Sequence, residues 1–408
     1  MLNTPFSPWP SYSDEEAEAV ARVLRSNRVN YWTGDECRQF EHEFAEWTGC
    51  RHAIALANGS VALELALRAL GIGPGDEVII PPRTFLASAS SVVLVGARPV
   101  FADIDPISQN LTPETIAAVL TPRTRAIICV HLAGWPCDMD PIMSLALRHN
   151  LYVVEDCAQA HGAIYRGRSV GSIGHVGAWS FCQDKIITTG GEGGMVTTQD
   201  ESLWRLMWAY KDHGKSYEAM YERTHPPGYR WVHESFGSNW RMTEMQAAIG
   251  RIQLRRMATW TALRNAHSNR LTEALRPLAG PAGPVRLLEP QCTGCPAGDA
   301  CNGPSGCVNA RYKYYACVRP ENFARDWTRD RVIDAITEAG VPCFSGSCSE
   351  VYLEKAFEGT GMQPPQRLPV AKLLGETSLM WLVHPTLTSE EIARACHVSA
   401  GVLAQAGA

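Results

Sequence analysis

Residues 52–70, HAIALANGSVALELALRAL, contain one complete unit of the fold. The run His52–Ala57 is short and largely apolar, which is typical of a buried strand. Residues 58–60 (NGS) form a turn after it, and Ser60 is predicted to cap a helix over Val61–Leu70 that ends at Gly71. A strand followed by a tight turn and a helix is the repeating unit of α/β domains.

The same alternation continues to about residue 200. The runs predicted as strands are His52–Ala57, Glu77–Pro81, Pro99–Asp103, Ala126–His131, Tyr152–Glu155, Gly177–Phe181 and Gly194–Thr197. Helical patterns such as Pro113–Leu120, with proline at its first position, separate these runs. Continuous apolar strands between helices indicate a mainly parallel sheet that is covered on both faces. We therefore expect an α/β fold with a seven-stranded sheet.

The second half of the chain has a different pattern. A long helical stretch from Met242 to about Leu278 is expected to connect a large domain, residues 1–250 with the N-terminal segment, to a small C-terminal domain, residues 251–408. Residues 281–284 (PAGP) mark a break, and a run rich in Cys, Gly and Pro at about 290–308 is predicted to be an insertion. A strand over Tyr312–Val318 and helices over Arg329–Ala339 and Glu390–Leu403 follow.

Composition and charge exclude several classes of protein. The chain has 408 residues and a formal net charge of −5, with no run of Lys and Arg that would indicate a nucleic-acid partner. The longest uncharged apolar stretch, Leu86–Ala97, is too short to cross a membrane and is interrupted by serines. The first residues lack the basic and apolar regions of a secretory signal. We expect a soluble cytoplasmic protein.

Lys185 is the first candidate for chemistry. It follows an apolar strand in the segment 179–185 (WSFCQDK), and the small residues of 188–194 (TTGGEGG) come directly after it. A lysine that loses solvent at such a place becomes a competent amine nucleophile. The alternative is a solvated surface lysine, and the residues of other segments distinguish the two interpretations.

Three further segments favour a cofactor site. The turn 58–60 and the start of its helix offer backbone N–H groups to a phosphate, although such turns often only cap a helix. Asp156 lies at the end of a strand, where open α/β sheets bind ligands, and its carboxylate is either the partner of a ring N–H⁺ or a helix cap. Phe85 supplies an aromatic face after another strand. A phosphate seat, an acid, an aromatic ring and a lysine together indicate pyridoxal phosphate.

These motifs together resemble the DegT/DnrJ/EryC1/StrS family of pyridoxal-phosphate sugar aminotransferases. The resemblance extends from about Asp14 to Ala395. The matching segments are 58–60 (NGS), 75–79 (GDEVI), 84–85 (TF), 99–103 (PVFAD), 155–160 (EDCAQA), 180–181 (SF) with Lys185, 191–194 (GEGG) and 239–242 (NWRM). The resemblance implies an aspartate-aminotransferase-like fold (fold type I) with a smaller C-terminal α/β domain.

The resemblance also implies a role for each matching residue. Lys185 would form the Schiff base with the cofactor and carry a proton between the substrate carbon and the cofactor, and Asp156 would pair with the pyridinium nitrogen. The other implied contacts are Gln159 to the phenolic oxygen, Phe85 stacked on the ring, the Gly59 and Ser60 amides and the Ser180 hydroxyl on the phosphate, and Asn239 on the phosphate of the neighbouring subunit. His161 lies near this group and is expected to pack rather than react.

The implied activity is a two-step transamination. Glutamate or glutamine would donate an amino group, and a keto- or aldehydo-sugar would accept it. The acceptor class stays open between nucleotide-linked sugars, aminocyclitols and an octulosonate, and the product would serve lipopolysaccharide, cell-surface polysaccharide or secondary-metabolite synthesis. Because Asn239 would act across subunits, the resemblance implies a homodimer with shared active sites.

Four cysteines of the insertion, Cys292, Cys295, Cys301 and Cys307, have a spacing that suits zinc or an iron–sulfur cluster, a disulfide-forming loop, or free thiols. No metal is assigned to them. An iron–sulfur cluster would favour an alternative function, a pyridoxamine-dependent sugar dehydratase, but that branch of the family has histidine where this chain has Lys185. A regulatory member without turnover is a third alternative, which the retention of Lys185, Asp156 and Gln159 disfavours.

Overall fold

The computed structural model describes residues 5–289 and 306–407 of the chain. The strands up to residue 200 are β1 (His52–Leu56), β2 (Glu77–Ile80), β3 (Arg98–Phe101), β4 (Thr124–Val130), β5 (Tyr152–Asp156), the short pair β6 (Ile164–Tyr165) and β7 (Arg168–Ser169), β8 (Val176–Ser180) and β9 (Gly194–Thr198). Seven of them form one sheet with the order β1-β9-β8-β5-β4-β2-β3. The five strands from β8 to β3 are parallel, and β9 runs antiparallel to both β8 and β1.

This sheet confirms the predicted mainly parallel, seven-stranded α/β fold. All seven predicted strands are present, with small shifts at their ends. Their residues are buried or half-buried except for Arg98 and Arg125. In β2, for example, Val78 and Ile80 pack into a core with α3 residues such as Leu63, whereas Ile79 packs into the opposite core. The pair β6 and β7 was not predicted, since two-residue strands leave no readable pattern.

Helices cover the sheet and continue into the C-terminal half. Among the described helices, none is both long enough and apolar enough to cross a membrane. The helices are α1 (Asp14–Ser26), α2 (Glu36–Thr48), α3 (Gly59–Ala69), α4 (Ala87–Leu94), α5 (Pro113–Ala117), α6 (Met139–His149), α7 (Glu201–Tyr210), α8 (Tyr217–Tyr221), α9 (Glu244–Leu275), α10 (Arg329–Glu338), α11 (Pro369–Thr377) and α12 (Ser389–Ala406).

The start of α3 corrects one prediction. The N-cap residue is Asn58 rather than Ser60, because Asn58 is the last extended residue and its side-chain oxygen accepts a hydrogen bond from the N–H of Val61 at 3.0 Å. Ser60 is therefore a first-turn residue of the helix. The predicted end is confirmed, since Gly71 follows the C-cap with a φ of 71°.

A second, smaller sheet lies in the C-terminal half. Its strands are β10 (Val285–Leu287), β11 (Tyr314–Val318), β12 (Cys343–Phe344) and β13 (Ser378–Trp381), in the antiparallel order β10-β11-β13-β12. Helix α9 passes through position 250 without interruption, so the expected boundary lies inside a helix. The division into domains 1–250 and 251–408 stays a prediction.

Candidate active site

The candidate site lies at the carboxyl edge of the large sheet. Asp156 and Ser180 are the last residues of the adjacent parallel strands β5 and β8, and Thr84 follows β2 on the same edge. The parallel arrangement brings these strand ends together. The Ser88 hydroxyl donates to Asp156 Oδ2 at 2.8 Å and lies 2.7 Å from the Thr84 hydroxyl. Residues far apart in the chain thus form one polar cluster.

Asp156 is held ready for a positively charged partner. Its side chain is buried, and its Oδ1 accepts a hydrogen bond from the Ala158 N–H at 3.2 Å. Burial raises the pKa of Asp156, although the bonds from Ser88 and Ala158 and the nearby Lys185 ammonium act in the opposite direction. The helix-cap alternative is wrong, because the residues after Asp156 form a turn and begin no helix. A ring N–H⁺ is the kind of group that such a carboxylate would bind.

The first turn of α3 lies against the end of β8. A Cβ added at Gly59 would lie only 2.5 Å from the Ser180 Cβ, so only glycine allows the two elements to approach this closely. Gly59, Ser60 and the Ser180 hydroxyl therefore lie at one place, at the N-terminus of an eleven-residue helix. Free N–H groups and the helix dipole at this end suit a phosphate.

Gln159 presents a donor to the same edge. Its side-chain oxygen accepts a hydrogen bond from the Ala133 N–H at 2.8 Å, in a turn where Ala133 has a φ of 55°. Because the oxygen is occupied, the amide NH₂ is the group that Gln159 can offer to a ligand. An NH₂ donor suits the phenolic oxygen of pyridoxal phosphate, which is the predicted contact.

Lys185 lies in a largely enclosed position. Its side chain is only 16% exposed, and its Nζ is 3.9 Å from Asp184 Oδ1 and 5.1 Å from the centroid of the Tyr312 ring. The Tyr312 hydroxyl donates a hydrogen bond to Asp184, which fixes both groups beside the lysine. The alternative of a solvated surface lysine does not fit this environment. The lysine instead has the partial desolvation that an amine nucleophile requires.

Phe85 and Asn239 are not enclosed in the single chain. The Phe85 side chain is 71% exposed, so its ring is open to a planar ligand. Asn239 is also exposed and lies in an isolated bridge with Asp212. Their predicted contacts with the ring and with a neighbouring subunit's phosphate stay predictions.

His161 packs as expected. It is fully buried, with its ring centroid 5.3 Å from that of Trp179 and 5.6 Å from that of Phe181. Burial and the nearby Lys185 and Arg264 charges lower the pKa of His161 to about 3, so the ring is neutral. A neutral imidazole between two aromatic rings is part of the core beneath the site.

Sequence reasoning missed a buried pair behind Asp156. His131 Nδ1 accepts a hydrogen bond from the Cys137 N–H, so the protonated Nε2 donates to Glu155 Oε2 at 3.0 Å. Burial raises the pKa of Glu155, but His131 and the N–H groups of Gly171 and Gly174 outweigh it and lower the pKa overall. The adjacency of Glu155 to Asp156 was the available signal, but only the fold shows that its oxygens are all occupied.

Ser88, Tyr312 and Lys313 were also missed as site residues. Ser88 lies in the apolar stretch Leu86–Ala97, which is too short to cross a membrane, and the serines that interrupt this stretch were the available signal. Tyr312 and Lys313 come from the small-domain half, and no local pattern connects them with Lys185. Only the tertiary fold brings these three residues to the strand ends.

The cysteine predictions divide into two groups. Cys129 and Cys157 are buried free thiols, as expected. Of the cysteines in the insertion, Cys292, Cys295 and Cys301 lie outside the described residues, whereas Cys307 is described and buried. The metal site, the disulfide-forming loop and the free thiols therefore stay alternative predictions for these four cysteines.

Comparisons with known proteins place the chain in a family. Residues 10–399 match the sequence model of the DegT/DnrJ/EryC1/StrS aminotransferase family. GDP-perosamine synthase from Caulobacter vibrioides is 50% identical over 226 residues, which cover 55% of this chain and 58% of that protein.

Two solved structures agree with the described fold over almost the whole chain. The aminotransferase from Psychrobacter cryohalolentis is 62% identical with a TM-score of 0.94, covering 98% of this chain and 100% of that chain. DesV from S. venezuelae, solved in complex with a ketimine intermediate, is 32% identical with a TM-score of 0.81, covering 96% of this chain and 94% of that chain. The fold type I architecture that the resemblance implied is therefore confirmed.

The cofactor of this family, pyridoxal phosphate, suits the groups at the sheet edge. A glycine-dependent helix N-terminus is available for its phosphate, and a buried carboxylate lies at the end of β5 for its ring nitrogen. The family match spans nearly the whole sequence. The chain belongs to the DegT/DnrJ/EryC1/StrS family and is a pyridoxal-phosphate-dependent sugar aminotransferase.

Proposed function

We propose that this enzyme transfers an amino group from glutamate or glutamine to the keto group of a nucleotide-linked sugar. The observation that carries the proposal is that one sheet edge holds Asp156 with Lys185 nearby, and the first turn of α3 against the adjacent strand end at Ser180. Gln159 follows Asp156 by three residues and offers its amide there. The nucleotide-linked acceptor is supported by the relative named for GDP-perosamine, a GDP-linked amino sugar. The product would serve lipopolysaccharide, cell-surface polysaccharide or secondary-metabolite synthesis.

The acceptor is the least constrained part of the proposal. An octulosonate stays a candidate acceptor, whereas the dehydratase alternative gains no support from the comparisons. The relative that supports a nucleotide-linked sugar is matched over only 58% of its length.

Each residue of the site has a distinct task in this proposal. Bound pyridoxal phosphate supplies the electron sink that stabilises negative charge on the substrate carbon. The first turn of α3, with Gly59 and Ser60, and the Ser180 hydroxyl hold the phosphate. Asp156 keeps a proton on the ring nitrogen, and Gln159 donates its amide N–H to the phenolic oxygen.

Lys185 has two successive tasks. Its amine would hold the cofactor by a covalent link. Its Nζ would also move a proton at the substrate carbon, which is general acid–base catalysis. Tyr312 and Asp184, which flank this amine, keep it close to the reacting atoms.

Absorbance spectroscopy tests the proposed reaction. L-glutamate or L-glutamine is expected to bleach the visible band of the purified enzyme, and a nucleotide-linked keto sugar should restore it while forming the amino sugar. Lys185→Ala serves as the control that cannot undergo this cycle. A band that no amino acid changes would contradict the proposal, and a brown, iron-containing preparation would support the dehydratase instead.

A homodimer with shared sites is the second part of the proposal. The segment before Asn239 exposes three large aromatic side chains, with Tyr229 74%, Trp231 81% and Phe236 99% exposed. Such a group of exposed rings favours a surface that is covered by another chain. A second copy on this surface is the arrangement in which we expect Asn239 to reach the phosphate of the neighbouring subunit.

Mixing two inactive variants tests this arrangement. Asn239→Ala and Lys185→Ala each damage one side of a shared site, so a mixed dimer keeps one intact site and one doubly damaged site. Random mixing is expected to restore about a quarter of the wild-type activity, because half of the dimers are mixed and each has one working site. The measurement is turnover after co-refolding or co-expression. Activity no higher than that of the separate variants would contradict shared sites.

A further inference from the structure

Lys313 and Lys185 flank the same tyrosine. Lys185 Nζ lies 5.1 Å and Lys313 Nζ 4.8 Å from the centroid of the Tyr312 ring, so the two ammonium groups are no more than about 10 Å apart. The Tyr312 hydroxyl donates to Asp184, which also faces Lys185. Lys313 precedes β11 of the small sheet, so the C-terminal half contributes a second ammonium beside the catalytic lysine.

Arg264 of α9 adds a third positive charge. It is buried, and its Nη1 donates to the Tyr312 carbonyl oxygen at 3.2 Å. Its Nε and Nη2 are buried and lack hydrogen-bond partners among the described residues. Burial lowers the pKa of Arg264 to about 9. A guanidinium with unused donors costs free energy unless an anion compensates it.

Around Tyr312 the positively charged side chains outnumber the negatively charged ones. Lys313 makes no ion pair with any carboxylate in residues 5–289 and 306–407, and Asp184 is the acid that faces the group. Burial lowers the pKa of Lys313 to about 8, which the nearby Arg264 and Lys185 charges reinforce and Asp184 opposes. Three cations against one carboxylate indicate a site for an anionic ligand group.

The cofactor's own charges have other partners in the proposed function. Its phosphate would lie at the first turn of α3, and its ring nitrogen would pair with Asp156. The amino donor, in contrast, carries an α-carboxylate one bond from the carbon whose proton Lys185 removes. That carboxylate must therefore lie close to Lys185 Nζ, and Lys313 Nζ is no more than about 10 Å from the same atom.

We propose that Lys313 binds the α-carboxylate of the amino donor, with Arg264 as the second positive charge of that site. The inference rests on the proposed function and adds a binding residue to it. An acidic sugar acceptor would bring the same carboxylate chemistry to the same cation. The two half-reactions, measured separately, distinguish these two sources.

Single-turnover kinetics of Lys313→Met test the assignment. The glutamate concentration for half-maximal bleaching is expected to rise at least about 30-fold, with a smaller change in the limiting rate, because a buried charge partner is lost. Lys313→Arg should recover much of the affinity. Lys355→Met removes an exposed lysine of the same half and is the matched control. If only the acceptor half-reaction changed, the carboxylate would belong to the sugar and the donor assignment would be wrong.

Calorimetry with glutarate gives a readout that needs no turnover. This dicarboxylate has no amino group, so it binds the holoenzyme without reacting. Its affinity should fall in Lys313→Met and be largely retained in Lys313→Arg. In the wild type it should also weaken as the pH rises through about 8, because deprotonation removes the charge of Lys313. Burial, Asp184, Arg264 and Lys185 set this pKa. Tyr312 and His384 also lie beside Lys313.

The outcomes separate this inference from the proposed function. A wild type that no amino acid bleaches contradicts the proposed function, and glutarate binding then still decides whether Lys313 binds carboxylates. A Lys313→Met enzyme with wild-type affinity for both glutamate and glutarate overturns the inference while leaving the proposed function intact.

Discussion

Lys185→Ala is expected to abolish transamination, with a fall in turnover of at least about 10⁴-fold. The substitution removes both the covalent attachment of the cofactor and the group that moves the proton at the substrate carbon. General acid–base catalysis alone contributes about 10²–10⁴-fold. The measurement is amino-sugar formation by chromatography, together with the half-reaction followed by absorbance.

The fold of this variant should be unaffected. The Lys185 backbone carbonyl accepts a hydrogen bond from the Trp9 indole at 2.9 Å, and this contact does not involve the side chain. Tyr312 and Asp184 also remain bonded to each other. Added pyridoxal phosphate should therefore still bind, but without a covalent link.

Chemical rescue makes this prediction specific. A small primary amine added to Lys185→Ala should restore a fraction of the proton transfer, since it can enter the space that the side chain leaves. Lys355→Met, which removes an exposed lysine, should keep wild-type turnover. Turnover of Lys185→Ala within tenfold of the wild type, in a preparation free of contaminating enzyme, would show that another group carries the reaction.

The large sheet could be predicted because its strands are buried on both faces. Such strands appear in the sequence as uninterrupted apolar runs, and the residue after each run lies at the ligand-binding edge. This rule predicts Lys185 and Asp156 as site residues, since each lies at or just beyond the end of a predicted strand. The two residues share one site only because their strands are neighbours in the sheet, and local sequence patterns do not show which strands are neighbours.

The other parts of the site depend on contacts across the chain. Ser88 reaches Asp156 over 68 residues, and Tyr312 reaches Asp184 over 128 residues. The cap of α3 was misplaced for a different reason, since Asn58 and Ser60 both have side chains that can cap a helix. Only the extended backbone of Asn58 decides between them.

Glu155 and Asp156 show how neighbouring carboxylates acquire different tasks. Both are buried, but the backbone N–H groups of the 171–174 loop and His131 fully occupy Glu155, and its pKa falls. Among residues 5–289 and 306–407, Asp156 accepts hydrogen bonds from the Ser88 hydroxyl and the Ala158 N–H, and burial raises its pKa. Both carboxylate oxygens of Glu155 accept hydrogen bonds within the protein. Asp156 accepts hydrogen bonds from two neutral donors among the described residues, so a cationic group of a ligand can still pair with it.

Asp156→Asn is therefore expected to lower turnover on the order of 10²-fold or more, because the ring nitrogen loses the carboxylate that keeps it protonated. Turnover and the cofactor's absorbance spectrum measure this effect. Ser88→Ala is the matched control, since it removes one hydrogen bond to Asp156 but keeps the charge. It should cost far less activity than Asp156→Asn.

Stability provides the second readout for Asp156→Asn. The raised pKa of Asp156 means that the cofactor-free fold favours the neutral acid, so above that pKa the ionised carboxylate weakens the fold. A neutral amide of the same shape relieves this cost. The cofactor-free variant should thus unfold at the same or a higher denaturant concentration at neutral pH, while its activity is lost. Reduced stability together with reduced activity would instead indicate a structural role for Asp156, and unchanged turnover would remove it from the mechanism.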